Sequence, residues 1–359
     1  MSAPTGTARR WLALASALAC AALGCWLVLV FGGQAGWAAT GLGLCLAALP
    51  VPIYVALVLW IDRFEAEPAG VLAWAFLLGA TAAAAAAALA NTAVDATLAA
   101  DPSAQRLALV AGAAVEELAK GCVLVGLWAR RPDEFDGVID GIVYAGMVGL
   151  GFAMTENIRY YGFAGGAGGL HGGLQLFILR GCLAPFAHPL FTGITGVALG
   201  LAGARRARGW LLAGLGIAAA SALHALWNVA AAAGQFLRVY LVVMVPAFVA
   251  GLVLIALALR REGRLVAAEL AAEVERGRLR PEDCAALATF GGRLRASWAA
   301  LRRDGPRGWA ALRRRQQAAG ELALLRARRR ARRDETGEPA PTAEELAYLE
   351  ALSVRPPEA

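Results

Sequence analysis

Read as alternating apolar and polar stretches, the chain shows eight apolar runs before residue 260. They are Trp11 to Phe31, Ala39 to Trp60, Ala69 to Asn91 and Leu107 to Trp128, then Val138 to Tyr160, Leu174 to Gly203, Trp210 to Ala233 and Phe236 to Leu259. A helix needs about 20 apolar residues to cross the hydrocarbon of a bilayer, so each run is a candidate span. The fold class this predicts is all-α, a polytopic transmembrane helical bundle of about eight spans. The first run follows Arg9 and Arg10, as a signal peptide would. It is long for a signal segment and no A-x-A-like cleavage site follows it, so it reads as a span.

The basic residues set an orientation. With the N-terminus in the cytoplasm, Arg9, Arg10, Arg63, Arg130, Arg131, Arg205, Arg206, Arg208, Arg260 and Arg261 all fall inside, and only Arg106, Arg159 and Arg238 fall outside. An even number of spans then places both termini in the cytoplasm. The expected organisation is an N-terminal transmembrane segment over 1–35 and a membrane core over 36–260. A basic helical cytoplasmic region follows over 261–335, and a mostly disordered end over 336–359.

Composition sharpens this division. The chain is 59% hydrophobic and 17% charged with a net charge of +7, whereas soluble domains run about 45–50% apolar and about 25% charged. The excess positive charge lies in the tail, where Leu265 to Arg280, Glu282 to Arg303 and Ala310 to Arg333 show helical periodicity. Leu312, Leu322 and Leu325 give the last of these an apolar stripe. Two readings stand for the tail: a solvated helical hairpin, or a surface that docks on anionic lipid headgroups. Beside a membrane domain the lipid surface is the expected partner of the positive charge, and no nucleic acid is expected. From Thr336 the chain is Pro- and Glu-rich, reading as disordered up to a short helix over Ala343 to Leu352. Glycine is dense from Gly162 to Gly173, which predicts a flexible outer loop, either a linker or a gate. The six cysteines form no C-x-x-C pair and read as small core residues.

Ionisable groups within the apolar runs are the informative exceptions, since each costs at least about 2.5–3.5 kcal/mol on insertion scales. The fourth run carries Glu116, Glu117 and Lys120, the only lysine in the chain. The simple structural reading pairs Glu116 with Lys120 one turn on and leaves Glu117 without a local partner. The fifth carries Asp140 and Tyr144 near its cytoplasmic end, and Glu156 and Asn157 near its outer end. In the sixth, Arg180 precedes His188, which sits between Pro185 and Pro189 on a helix that the prolines must distort. In the seventh, His224 and Asn228 share a face. The third histidine, His171, falls in the outer loop. Counting ~1.5 Å per residue from the outer face puts Glu116 and His224 both ~13 Å deep, with Glu156 shallower and His188 deeper.

These residue types fit two chemistries. A desolvated glutamate can act as general base while histidine and asparagine donate to an oxyanion. Alternatively, two histidines and a glutamate can hold a zinc ion with a water in the fourth position. No H-E-x-x-H spacing is present to favour the metal.

The ordered set Glu116-Glu117-Leu118-Ala119-Lys120, Phe152-Ala153-Met154-Thr155-Glu156-Asn157, the His188 segment and His224-Ala225-Leu226-Trp227-Asn228 resembles the PrsW family of intramembrane proteases. That family is distantly similar to the CAAX prenyl-protease and Abi group. The segment Asp62-Arg63-Phe64-Glu65-Ala66-Glu67-Pro68 resembles the acidic loop of some members, and the likeness covers roughly Ala39 to Leu259. The resemblance implies a bacterial plasma-membrane endopeptidase acting on a membrane-anchored protein, such as an anti-sigma factor. It implies an active site of Glu116, Glu117, Glu156, His188 and His224, supported by Lys120, Asn157 and Asn228. A zinc ion, where used, would be held by Glu156, His188 and His224; related enzymes are argued to work without metal. The competing reading is a proton- or cation-coupled transporter, for which buried acids, histidines and a lysine would also serve. A membrane scaffold with structural ion pairs is a third. No inverted repeat supports the transporter.

Overall fold

The computed structural model describes residues 6–98, 104–132, 134–135, 137–203, 206–331 and 342–353. The expectation of disorder from Thr336 falls on residues outside these, as does Arg205. Among the described residues every regular element is helical. They run α1 (Gly6–Ala35), α2 (Trp37–Ala48), α3 (Val51–Ile61), α4 (Ala69–Leu78), α5 (Ala84–Leu98), α6 (Gln105–Arg130) and α7 (Val138–Phe177). Then come α8 (Ala187–Ala202), α9 (Arg206–Ala232), α10 (Phe236–Val239), α11 (Val245–Glu275), α12 (Pro281–Ala288), α13 (Phe290–Ala331) and α14 (Ala343–Ser353). Wider π-type turns link α4 to α5, follow α7, and link α10 to α11.

Among the described residues, six helical stretches are long and apolar enough to cross a membrane: Ala13–Ala35, Trp37–Ile61, Ala69–Leu98, Val138–Ala202, Ala207–Ala232 and Phe236–Glu275. The protein is an integral, multi-pass membrane protein. The fifth and sixth apolar runs of the sequence both lie in the Val138–Ala202 stretch. The fourth run corresponds to α6, which has the length of a span but carries Glu116, Glu117 and Lys120 in its middle.

The chain divides into two compact units. The first holds Met1–Trp60 and Glu67–Gly251. Its centre is α7, which packs on α2, α4 and α8, while α9 closes against α6 and α8. Small residues permit these crossings. A Cβ at Gly141 would strike the carbonyl of Gly196, and one at Gly151 would strike the carbonyl of Phe76, so backbones meet where a side chain would hold them apart. The N-terminus of α7 is capped by Asp140, whose Oδ2 accepts from the Gly137 amide at 2.7 Å. Tyr144, one turn on, donates to Glu67 at 2.5 Å. These two polar residues therefore serve the helix end and its packing.

The glycine-rich segment 162–173 differs from the expected flexible loop. The segment is helical on either side of a break at Gly168 and Gly169, where Gly169 takes φ +61 and the chain folds back, so that a Cβ at Gly172 would strike the carbonyl of Ala164. The helical part before the break is supported because Gly162 and Gly166 lie against Ala35 at the end of α1 and Ala39–Thr40 of α2, contacts that offset the weak helix propensity of glycine.

The second unit holds Ile61–Ala66 and Leu252–Ala359. It is a folded body in which much of the basic charge is paired. Arg326 reaches Glu345 at 2.7 Å and Glu273 at 3.0 Å, Arg329 reaches Glu345 at 2.5 Å, and Arg330 reaches Glu269 at 3.0 Å. Glu269, Glu273 and Glu345 are all buried. The arginines at the end of α13 thus tie α11, α13 and α14 together. The unit also encloses Phe64, which is 1% exposed. A Cβ at Gly320 would run into the Phe64 carbonyl. Gly320→Ala is therefore expected to destabilise this unit by about 1–3 kcal/mol, as overpacking does. Limited proteolysis of residues 252–331 checks it; an unchanged cleavage rate would show that the 61–66 segment is not seated there.

Candidate active site

The buried polar groups of the first unit converge on one cluster drawn from α6, α7, α8 and α9. On α6, Glu117 and Lys120 stand one turn apart and are 1% and 0% exposed. The Lys120 ammonium donates to Glu117 Oε1 at 2.5 Å and lies 3.0 Å from His188 Nδ1. Glu117 Oε1 also receives His224 Nδ1 at 2.9 Å, and its second oxygen accepts from Thr192 at 3.4 Å. The pairing expected from sequence was Glu116 with Lys120. The structure instead turns Lys120 to Glu117, whose Oε1 lies between the Lys120 ammonium and His224 Nδ1, while Glu116 reaches Asn91 and the other nitrogen of His224.

Glu116 faces the third span. Its Oε1 accepts from Asn91 at 3.2 Å. Its Oε2 is buried, without a hydrogen-bond partner, and 3.8 Å from His224 Nε2. Glu156, on α7, holds His188 Nε2 at 2.7 Å and pairs with Arg180. The Nε of Arg180 donates to Asn157 Oδ1 at 2.7 Å, and its guanidinium lies 4.1 Å from the centre of the Tyr160 ring. Aromatic rings fix the imidazoles: Phe191 stacks on His224 at 4.7 Å, and Phe152 lies 5.2 Å from His188. Lys120 sits over the Phe152 ring at 4.3 Å.

The five residues expected at the site, Glu116, Glu117, Glu156, His188 and His224, are thus brought together. Lys120 and Asn157 join them by hydrogen bonds. Asn228 lies one turn beyond His224, half-buried, and makes no hydrogen bond among the described residues. His171 is exposed and apart. Three contributors had no role assigned from sequence: Asn91, Thr192 and Arg180. Arg180 carried a signal, being a cation within an apolar run. Asn91 and Thr192 are uncharged and carried none.

A metal ion is a natural question here. Glu116, His188 and His224 each offer a donor atom, all within 4.8 Å of one another. The sequence had suggested Glu156 as the acidic ligand; Glu156 already carries Arg180 and His188. The orphaned Oε2 of Glu116 and the free Nε2 of His224, whose Nδ1 is anchored on Glu117, are the donor pattern of a zinc site with its supporting carboxylate. His188 completes the set by exchanging one present partner for the metal. The residues fit the group.

The first unit is thus a multi-pass helical membrane protein that buries a glutamate–histidine cluster at the crossing of four helices. The chain belongs to the PrsW family: the family described as PrsW family intramembrane metalloprotease matches residues 67–251. It is also similar to the protein named Protease PrsW from Geobacillus kaustophilus (strain HTA426), 34% identical over 141 residues. That match covers 39% of this chain and 58% of the relative, so the chain spans little more than half the length of the relative it matches. No solved structure matches the chain.

Proposed function

We propose that this chain is an intramembrane endopeptidase that hydrolyses a peptide bond of a membrane-anchored protein, with Glu116 as the group that takes the proton from the attacking water. The observation that carries the assignment is the buried Oε2 of Glu116, which has no hydrogen-bond partner and faces His224. A lone carboxylate oxygen in that setting is a ready acceptor for a water proton. Glu117, in contrast, has both oxygens engaged by Lys120, His224 and Thr192. It fixes His224 and neutralises Lys120.

Hydrolysis then balances simply. The water hydroxyl bonds to the carbonyl carbon, its proton passes to Glu116, and the same proton is delivered to the departing amide nitrogen as the C–N bond breaks. His224, anchored through Nδ1 on Glu117, turns its Nε2 to the same space and, when protonated, is the donor to the oxygen that becomes negative; His188 is held at both ring nitrogens, by Lys120 and Glu156. In the alternative route, a divalent ion held by Glu116, His188 and His224 would polarise that carbonyl and acidify the water, and Glu116 would then serve as ligand in place of base.

The test is cleavage of single-span reporter proteins by the full chain reconstituted in lipid, beside Glu116→Gln and with or without a zinc chelator. Wild type is expected to cut and Glu116→Gln to lose roughly 100-fold or more in rate, with insertion unchanged. Chelator sensitivity assigns the metal route; insensitivity assigns the carboxylate alone. Gradient-driven solute uptake with no cleavage of any reporter would overturn the protease in favour of a transporter.

A further inference from the structure

The second unit buries an arginine whose donors are not all met. Arg293, on α13, is 1% exposed. Its Nε donates to the carbonyl of Leu287 at 2.6 Å, and its Nη1 to the carbonyl of Arg63 at 2.5 Å. Its guanidinium lies 4.3 Å from the centre of the Phe64 ring. The remaining nitrogen, Nη2, is buried and has no hydrogen-bond partner. Arg63 is itself buried, its guanidinium 3.9 Å from the centre of the Phe290 ring. Arg313, beyond the break at Gly305 in α13, is half-buried, and its charge acts on both Arg293 and Arg63.

Burial, and then the charge of Arg313, depress both buried arginines: Arg63 to about 10 and Arg293 to about 9. The only carboxylate that offsets this at Arg293 is Glu262, and its influence is the smallest. Guanidinium groups stay protonated at neutral pH, so the fold carries like-charge repulsion together with an unmet donor. An orphaned buried donor of this kind calls for a missing acceptor, and a planar donor array suits tetrahedral oxyanions.

We propose that Arg63, Arg293 and Arg313 form a binding site for a phosphate-class anion, either the phosphodiester of an anionic lipid headgroup or free inorganic phosphate. The anion accepts from Arg293 Nη2 and is closed over by Arg313, the partly exposed member, which gives the site its access to solvent. Because Arg293 also holds the Arg63 carbonyl, occupancy tightens the grip of the second unit on its 61–66 segment. The site is independent of the proposed peptide chemistry and of the paired arginines at 326–330.

The experiment follows hydrogen exchange at residues 61–66 and 286–320 of the full chain in phosphatidylcholine nanodiscs, at an ionic strength held constant with chloride. One arm adds inorganic phosphate; the other replaces a quarter of the lipid by phosphatidylglycerol in phosphate-free buffer. At least one arm is expected to slow exchange about tenfold, and which arm does so identifies the source. Arg313→Gln is expected to abolish that response. In phosphate-free phosphatidylcholine the same variant should exchange no faster than wild type, because it removes repulsion and breaks no bond. No response in either arm, an undiminished response in Arg313→Gln, or faster basal exchange in that variant each overturns the site.

Discussion

Lys120→Met is expected to lower the stability of the membrane unit by about 3–5 kcal/mol, the cost of leaving a buried charge without its counter-ion. The charge left behind is Glu117, which is 1% exposed and would keep only His224 and Thr192. The same change removes the donor that faces His188 Nδ1, so peptide cleavage should fall by roughly 100-fold, the scale seen when one positioned donor is lost from an active site. Combining Lys120→Met with Glu117→Gln separates the two consequences. The double variant removes both charges and should recover most of the stability, since neighbouring groups in one network are not additive. Cleavage should stay low, because His224 then lacks its anionic anchor. Unfolding in detergent micelles, followed by tryptophan fluorescence, measures the first effect and reporter cleavage the second. A single variant that loses less than about 1 kcal/mol would mean that Lys120 is not an ion-pair partner within the membrane.

That network explains why the site was more legible in the sequence than its wiring. Charges in apolar runs are costly, so Glu116, Glu117, Lys120, Glu156, His188 and His224 stood out one by one, and helical arithmetic put several at similar depth. Which partner each would choose depended on how α6 turns relative to α8 and α9, and side-chain spacing along one helix says nothing about that. An i, i+4 rule therefore favoured Glu116 with Lys120, while the packing selected Glu117. Asn91 and Thr192 were silent because uncharged residues are ordinary in such runs. The glycine-rich segment misled for a related reason: glycine is a weak helix former alone, yet allows the close packing that keeps the chain helical up to the turn at Gly168 and Gly169. In the tail, periodicity gave the helices, but pairing of Arg326, Arg329 and Arg330 with buried glutamates depends on a fold that no local pattern displays.

Arg180 is the residue whose chemistry was visible and whose purpose was not, and it carries the second large expectation. Its fork holds Glu156 and Asn157 together, and Glu156 in turn holds His188. Arg180→Met should leave the half-buried Glu156 with His188 alone, at a cost of about 1.5–3 kcal/mol, and Glu156→Gln in the same chain should restore much of it. The informative variant is Arg180→Lys, which keeps the charge but cannot reach two oxygens in one plane. If Arg180 positions His188 through Glu156, this variant should retain most of the stability and lose roughly tenfold in kcat with KM little changed, since only the orientation of a reacting-site group is altered. A compensating change at Asn157 should not rescue it, because Asn157 does not contact His188. Wild-type kcat in Arg180→Lys, measured on the same reconstituted reporter, would reduce Arg180 to a counter-ion for Glu156, leaving the orientation of His188 to Lys120 and the Phe152 ring.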